Sequence, residues 1–433
     1  MMNKVTVIGG GLAGVEACYQ LAKRGVTVDL YEMRPVKTTP AHKTGDFAEL
    51  VCSNSLKSAD VNTAQGALKR EMKLLDSLII RAAENTSVPA GGALAVDREK
   101  FSRYIEDELN KYDNINVIRE ERTDITDYTI IATGPLSSDG ISKALASVTG
   151  GGYLNFFDAV APIVTGESID REKSFFAGRY GKGGEDYLNC PMNREEYYDF
   201  VDNLVNADKV ILRDFEKKDV FNACMPVEVM AGKGADTLRF GPLRPVGLTD
   251  PATGRRPFAA VQLRKEDAEG RLYNLVGFQT NLKFGEQQRV FSMIPALRNA
   301  EFVRYGVMHR NTFLDAPKAL GHGFELKNKP TVFVAGQLSG VEGYAESAMS
   351  GLIAGINMYR RLVGKEITDP PEETLIGGLM KYVITENKDF QPMHVGFPLT
   401  PELEEKIRDK QKRKEAYSLR AEKAFSAFAK NYI

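Results

Sequence analysis

Apolar positions recur with the spacing of a strand, a helix and a second strand at the start of the chain. Val5, Val7 and Ile8 predict a short buried strand, and Val26, Val28 and Leu30 predict another. Between them Leu12, Val15, Ala17, Cys18, Leu21 and Ala22 fall on one stripe of a helix. Further on, Asp97 stands where it can cap a helix that carries Phe101, Tyr104, Ile105 and Leu109 on one face. The run "YTIIATG" reads as a buried strand ending at Thr133 and Gly134. The run "PTVFVAGQ" reads as another, followed by a glycine-spaced turn and a helix rich in Ala and Gly. No stretch approaches the 18 or so uninterrupted apolar residues of a membrane span.

The first turn of this pattern has a specific chemistry. Gly9, Gly10, Gly11, Leu12, Ala13 and Gly14 form a GxGxxG between strand and helix. In such a turn the first glycine permits the tight bend, the second lets backbone approach a pyrophosphate, and the third lets helix and strand pack closely. The helix N-terminus offers unpaired N–H groups and the positive end of its dipole to that anion. Glu32 closes the second strand, where an acid can accept from a ribose hydroxyl. NAD and FAD both bind such a unit. The string "VDREKFSRYIEDEL" resembles the adenine-side helix of many flavoproteins, and the strand before Thr133 and Gly134 resembles one in FAD proteins of the glutathione-reductase type. The strand and turn at Gly336 and Gln337 resemble the C-terminal flavin motif, with Gln337 where many such proteins carry aspartate. FAD is therefore the expected cofactor. No second GxGxxG and no CxxC pair accompanies it, so a nicotinamide donor is expected to dock at the flavin face and leave.

Composition narrows the class without naming an activity. Across 433 residues, 43% are hydrophobic and 27% charged, as in a soluble globular protein of two or three domains. The four cysteines and four histidines show no metal-ligand spacing, so no metal is expected. With few cysteines and no signal-peptide pattern at "MMNKVTVIGGG", a cytoplasmic protein is expected. Net charge is −1, yet basic residues cluster. Six stand against one acid between Arg239 and Lys265, and nine against six in the tail 401–433. These clusters permit contact with nucleic acid.

Several longer strings carry a family resemblance. "VIGGGLAGVEAC", "ELVCSNSLKS", "NACMPVEVMA", "GFQTNLKFGEQQRVFSMIP", "VRYGVMHRNTF" and "VAGQLSGVEGY" together resemble the folate- and FAD-dependent tRNA (uracil-5-)-methyltransferases. A sister family, which modifies wobble uridines of tRNA with FAD, shares Ala335-Gly336-Gln337 and the GYxE at Gly343–Glu346 but is longer at its C-terminus. That family, or another flavin oxidoreductase, is the alternative reading. The resemblance implies methylation of the T-loop uridine of tRNA at C5. The one-carbon unit comes from 5,10-methylenetetrahydrofolate, and electrons come from NAD(P)H through FAD. It further implies a cysteine thiolate that adds to uracil C6, and Cys224 matches that position, with Cys52 placed near the flavin. A swap of the two roles stays open, as does plain packing for Cys52. Glu228, four residues beyond Cys224, is a proton carrier or a salt-bridge partner. Arg289 and His309 lie in strings where a folate or tRNA could be held, and either is equally a structural residue.

The expected fold is α/β, a discontinuous FAD-binding domain of the glutathione-reductase (Rossmann-like) type with an inserted mixed α/β domain. Its expected pieces are residues 1–150 and 326–433, the latter ending in the basic tail, with the insertion at 151–325. Oligomeric state is not legible in the sequence.

Overall fold

The first strand β1 (Lys4–Ile8), helix α1 (Leu12–Ala22) and strand β2 (Thr27–Tyr31) form where the apolar periods place them. This computed structural model describes residues 4–39, 41–150, 153–159, 161–181, 186–210, 225–266, 269–306, 308–387 and 390–432, with the main chain alone at 153–159 and 308–311. β1 and β2 pair in parallel at the middle of a six-stranded sheet. Thr129–Ile131 flanks β1, Ile115–Ile118 flanks β2, and Lys329–Val334 adds beyond Thr129–Ile131, all parallel. A two-residue strand, Glu325–Leu326, closes that edge antiparallel. The sheet therefore draws one outer strand pair from the far end of the chain, which is the discontinuity the sequence predicts.

Small residues let the second contribution dock. Helix Tyr344–Leu362 lies against α1, and a Cβ added at Gly351 would stand 2.0 Å from the Ala13 carbonyl oxygen. Only glycine allows the two backbones so close. The buried carboxylate of Glu16 sits on the same helix α1 and accepts from Ser77 Oγ at 2.7 Å and from the Ile79 N–H at 2.9 Å. It thereby caps helix Leu78–Asn85 from outside. Glu71 does the same for helix Leu375–Ile384, accepting from the N–H groups of Leu375 at 2.8 Å and Ile376 at 2.9 Å. Asp97 caps Arg98–Leu109 by accepting from the Lys100 N–H, as its position in the sequence predicts.

The insertion carries a second six-stranded sheet that is antiparallel throughout. Its order is Phe175–Phe176, Tyr187–Met192, Ala259–Lys265, Leu272–Leu275, Ile163–Thr165 and Phe302–Arg304. Helix Arg194–Asn206 packs on it, held by a full capping box between Asn193 and Glu196. A separate core forms here around Tyr197, Phe200, Phe278 and Phe291. Two antiparallel strands, Tyr153–Ala159 and Met308–Leu314, carry the chain out of the first sheet unit and back into it.

Candidate active site

The three central parallel strands end together, and a cavity opens at their carboxyl ends, where ligands of doubly wound sheets bind. It measures about 1050 Å3, counting the solvent-open space at its mouth. Gly9, Gly11, Leu12, Ala13, Glu32, Thr133, Gly134, Gly336 and Gln337 all line it. Gly10 and Gly14 stand behind the wall instead. A Cβ at Gly14 would lie 1.7 Å from the Gly9 carbonyl oxygen, and one at Gly10 would lie 2.6 Å from the Phe47 ring. At Gly11 the added Cβ would meet no protein atom within 4 Å. Gly11 also caps α1 with its side of the backbone turned to the cavity. The arrangement is a cradle that an anion can enter, at the N-terminus of an 11-residue helix. The residues present fit the pyrophosphate and ribose of a dinucleotide such as FAD.

Glu32 is more constrained than its sequence position suggests. Its Oε2 accepts from the Gly10 N–H at 2.9 Å and from Arg34 Nη2 at 3.0 Å. Its Oε1 accepts from the Arg34 N–H and from Arg34 Nε, each at 2.9 Å. Burial acts to raise its pKa, but the Arg34 hydrogen bonds and charge outweigh that and hold the carboxyl below its ordinary value. All four lone-pair sites are filled, so a ribose hydroxyl binds Glu32 by displacing one of these bonds. Opposite it, the Gly336 N–H donates to Ser350 Oγ at 2.7 Å, and Gln337 donates to Glu342.

Cys52 sits at the rim. Its neighbour Val51 and the phenol of Tyr344 both line the cavity, and the Cys52 N–H donates to Tyr344 Oη at 2.7 Å. Burial, then the neighbouring Cys52, push the Tyr344 pKa up, keeping it a neutral hydroxyl. Two arginines hold the same loop from its other side. Arg98 Nη2 donates to the Cys52 carbonyl at 3.0 Å and its Nε pairs with buried Glu266, while Arg304 donates to the Val51 carbonyl. Burial, then the neighbouring Arg98 charge, depress the Arg304 pKa. Residues of both sheet units thus meet around Cys52. Tyr344, Arg98, Glu266 and Arg304 were not foreseen as partners of this loop. Nothing local to their sequence positions signals the contact, although Tyr344 falls within the GYxE string, Arg98 within "VDREKFSRYIEDEL" and Arg304 within "VRYGVMHRNTF".

A second unforeseen group lies beside it. Lys57, in the "VCSNSLKS" string, has a left-handed backbone (φ +64°). Its Nζ reaches His394 Nδ1 at 2.7 Å and buried Glu346 at 3.8 Å. Burial, then the Lys57 charge, lower the His394 pKa, which favours the neutral imidazole.

Other predicted residues are placed elsewhere. Cys224 lies outside the described residues. Glu228, a few positions on, is buried and accepts from Thr280 Oγ1 at 2.9 Å and the Asn281 N–H at 2.8 Å, tying helix Val227–Ala231 to that loop. Its pKa is raised by burial. Arg289 is not at the cavity: it clamps Glu286 through Nε at 3.0 Å and Nη2 at 2.8 Å and reaches Asn203 at 2.7 Å, joining two helices of the insertion. His309 lies on strand Met308–Leu314, paired in register with Asp158. Cys18, on the apolar stripe of α1, is fully buried; Cys190, for which the sequence gives no role, is fully buried too, and burial pushes its thiol up to about 12. Among the described residues no three His, Cys, Asp or Glu side chains converge to hold a metal ion, and no helix is long and apolar enough to cross a membrane.

Comparison with known proteins gives this geometry a context. The solved structure of GidA from Aquifex aeolicus superposes with a TM-score of 0.71 over 98% of this chain and 74% of that one, at 17% identity, a likeness of fold. The sequence profile of the family described as glucose inhibited division protein A matches residues 4–366. A protein of Natranaerobius thermophilus named methylenetetrahydrofolate--tRNA-(uracil-5-)-methyltransferase TrmFO is 56% identical over 98% of this chain and 99% of its own length. The protein of that name from Persephonella marina is 54% identical over the whole of both chains. Relatedness at this level over the full length shows that the chain belongs to the glucose inhibited division protein A family, within its branch of TrmFO methylenetetrahydrofolate--tRNA-(uracil-5-)-methyltransferases.

Proposed function

We propose that the protein methylates a T-loop uridine of tRNA at C5, with 5,10-methylenetetrahydrofolate as one-carbon donor and NAD(P)H as electron source, in the cytoplasm. The observation that carries this reading is the full-length identity to relatives named for that reaction, joined to a dinucleotide cavity with a cysteine loop at its rim. FAD, held by the Gly9–Gly14 turn, the Glu32 end of β2 and the Gly336 turn, supplies the reducing equivalents when bound.

The chain's own residues do the rest. C5 of uracil is a poor nucleophile, and the Cys224 thiolate activates it by adding Sγ to C6. C5 then attacks the one-carbon unit and loses its proton, and elimination of tetrahydrofolate leaves an exocyclic methylene with Sγ still bonded to C6. Hydride addition to that methylene gives the methyl group, and the enolate so formed expels the Cys224 thiolate and restores the C5–C6 double bond. Cys52, at the cavity rim, assists proton or thiol chemistry there. Tyr344, Arg98 and Arg304 position the Cys52 loop through its backbone. The uridine must leave its stack to reach this rim. The Arg239–Lys265 segment and the basic tail are candidate tRNA surfaces.

Incubation of the purified protein with unmodified tRNA, labelled methylenetetrahydrofolate and NADH, followed by nucleoside analysis, tests the reading. Labelled 5-methyluridine is expected. Its absence, or dependence on S-adenosylmethionine, overturns the reading, and a product at the wobble position instead places the protein with the sister family.

A further inference from the structure

We propose that a cleft in the antiparallel sheet unit grips the phosphate backbone of the RNA substrate through Arg194, Arg255, Arg256 and Arg298. The inference rests on the tRNA reading above and names the surface that holds that RNA. The cleft encloses about 1890 Å3, counting open solvent, and shares no lining residue with the nucleotide cavity. Its four arginines come from three separate chain segments, and all are exposed. Among the described residues none of the four guanidiniums pairs with a carboxylate.

The acids that line the cleft are mostly committed to backbone. Glu196 accepts from the Asn193 N–H at 2.8 Å in the capping box, and Asp250 accepts from the Ala252 N–H at 2.9 Å and from Thr253 Oγ1 at 3.3 Å. Glu172 is the remaining acid. Lys173 and the four arginines outnumber Glu172, Glu196 and Asp250 in the lining, which leaves the cleft net positive and favours an anion with regularly spaced charge.

The arginines are also held for display. Arg255 and Arg256 follow a turn closed by the Gly254 N–H to the Asp250 carbonyl at 2.8 Å and the Asp250 N–H to the Arg255 carbonyl at 2.9 Å. Arg194 stands at the first position of its helix, where the helix dipole disfavours a cation. Its guanidinium lies 5.8 Å from the Tyr198 ring centroid. Neighbouring basic residues are not available in the same way. Arg239 pairs with Asp236 at 3.0 Å and stacks on Phe258, and buried Arg264 donates to Asn54 at 2.9 Å. The basic count of the Arg239–Lys265 segment therefore resolves to specific members of the cleft.

The test uses the FAD-loaded protein and an unmodified tRNA transcript, with binding read by anisotropy across a salt series. The variants are Arg255→Gln/Arg256→Gln together and, on a separate segment, Arg298→Glu. Each lost phosphate contact should flatten the slope of log affinity against log salt by about 0.7–0.9, which is about a fivefold loss near 0.1 M salt. Flavin content and NADH oxidation without tRNA should match the wild type, showing that fold and nucleotide cavity are intact. Unchanged affinity and slope in both folded variants overturn the proposal. Because binding is read without turnover, a wild type that binds tRNA but forms no 5-methyluridine overturns the methyltransferase reading alone. Normal methylation with unaltered slopes overturns the cleft alone.

Discussion

Two alanine substitutions in one glycine loop should fail in opposite ways. At Gly14 a Cβ would lie 1.7 Å from the Gly9 carbonyl oxygen and 2.9 Å from its carbon. Ordinary contact begins near 3.5 Å. Backbone cannot rotate aside as a side chain can, so α1 must shift from β1 by well over an ångström. Such overpacking costs about 1–3 kcal/mol or more. At Gly11 the backbone is extended (φ −77°, ψ −174°), which any residue adopts, and the Cβ would meet no protein atom within 4 Å. Folding stability should therefore stay within about 0.5 kcal/mol of wild type. The methyl instead stands in the cavity, where it would keep a pyrophosphate from the helix N-terminus. Loss of one hydrogen bond to a charged group is worth about 1.5–3 kcal/mol, or about 10–150-fold in affinity. Urea denaturation of the flavin-free protein and FAD titration by flavin fluorescence separate the two. The expected result is Gly14→Ala with a lowered urea midpoint, and Gly11→Ala with a normal midpoint and weak FAD binding. A Gly11→Ala protein that binds FAD like the wild type would refute the reading of the cavity as the pyrophosphate path.

Cys224→Ala should lose the stable adduct with a 5-fluorouracil T-arm RNA while Cys52→Ala keeps it; gel analysis showing the adduct intact without Cys224 reverses the two roles. Arg98→Ala should destabilise the protein by about 3–5 kcal/mol, because it leaves buried Glu266 without its partner. Adding Glu266→Gln should restore part of that loss in the same urea assay. Glu71 has its pKa raised by burial to about 8, against an ordinary value near 4.5. The folded state then binds more protons than the unfolded one between those values, so wild-type stability should fall as pH rises from about 5 to 8. Glu71→Gln should flatten that dependence, and an unchanged pH profile in the variant would show that Glu71 titrates normally.

The parts of the fold legible in the sequence are those where one local rule suffices. The apolar period places β1, α1 and β2, the glycine spacing marks the turn between them, and Asp97 announces its helix. Glu16 and Glu71 were not legible, because a carboxylate amid helical residues looks like a solvent face. Each is buried because a second helix begins beside it, and only tertiary structure brings that helix there. The meeting of Cys52 with Tyr344 spans 292 positions. The chain records it only as two separate strings, and the family resemblance joins them by chemistry rather than by contact.

Charge illustrates the limit most sharply. Counting residues between Arg239 and Lys265 treats six basic side chains as equivalent. In the folded protein Arg264 is 7% exposed and bonded to Asn54, and Arg239 is paired with Asp236. Arg255 and Arg256 stand open on a hydrogen-bonded turn and are joined by Arg194 and Arg298, which lie outside the counted segment. A guanidinium already paired cannot release counterions from RNA, so salt dependence should follow the unpaired residues and not the local count. Arg239→Gln is therefore expected to leave the salt slope of tRNA binding unchanged where Arg255→Gln/Arg256→Gln flattens it. Equal flattening by both would mean that the ion pair with Asp236 opens to RNA, and that unpaired arginines are the wrong guide to the surface.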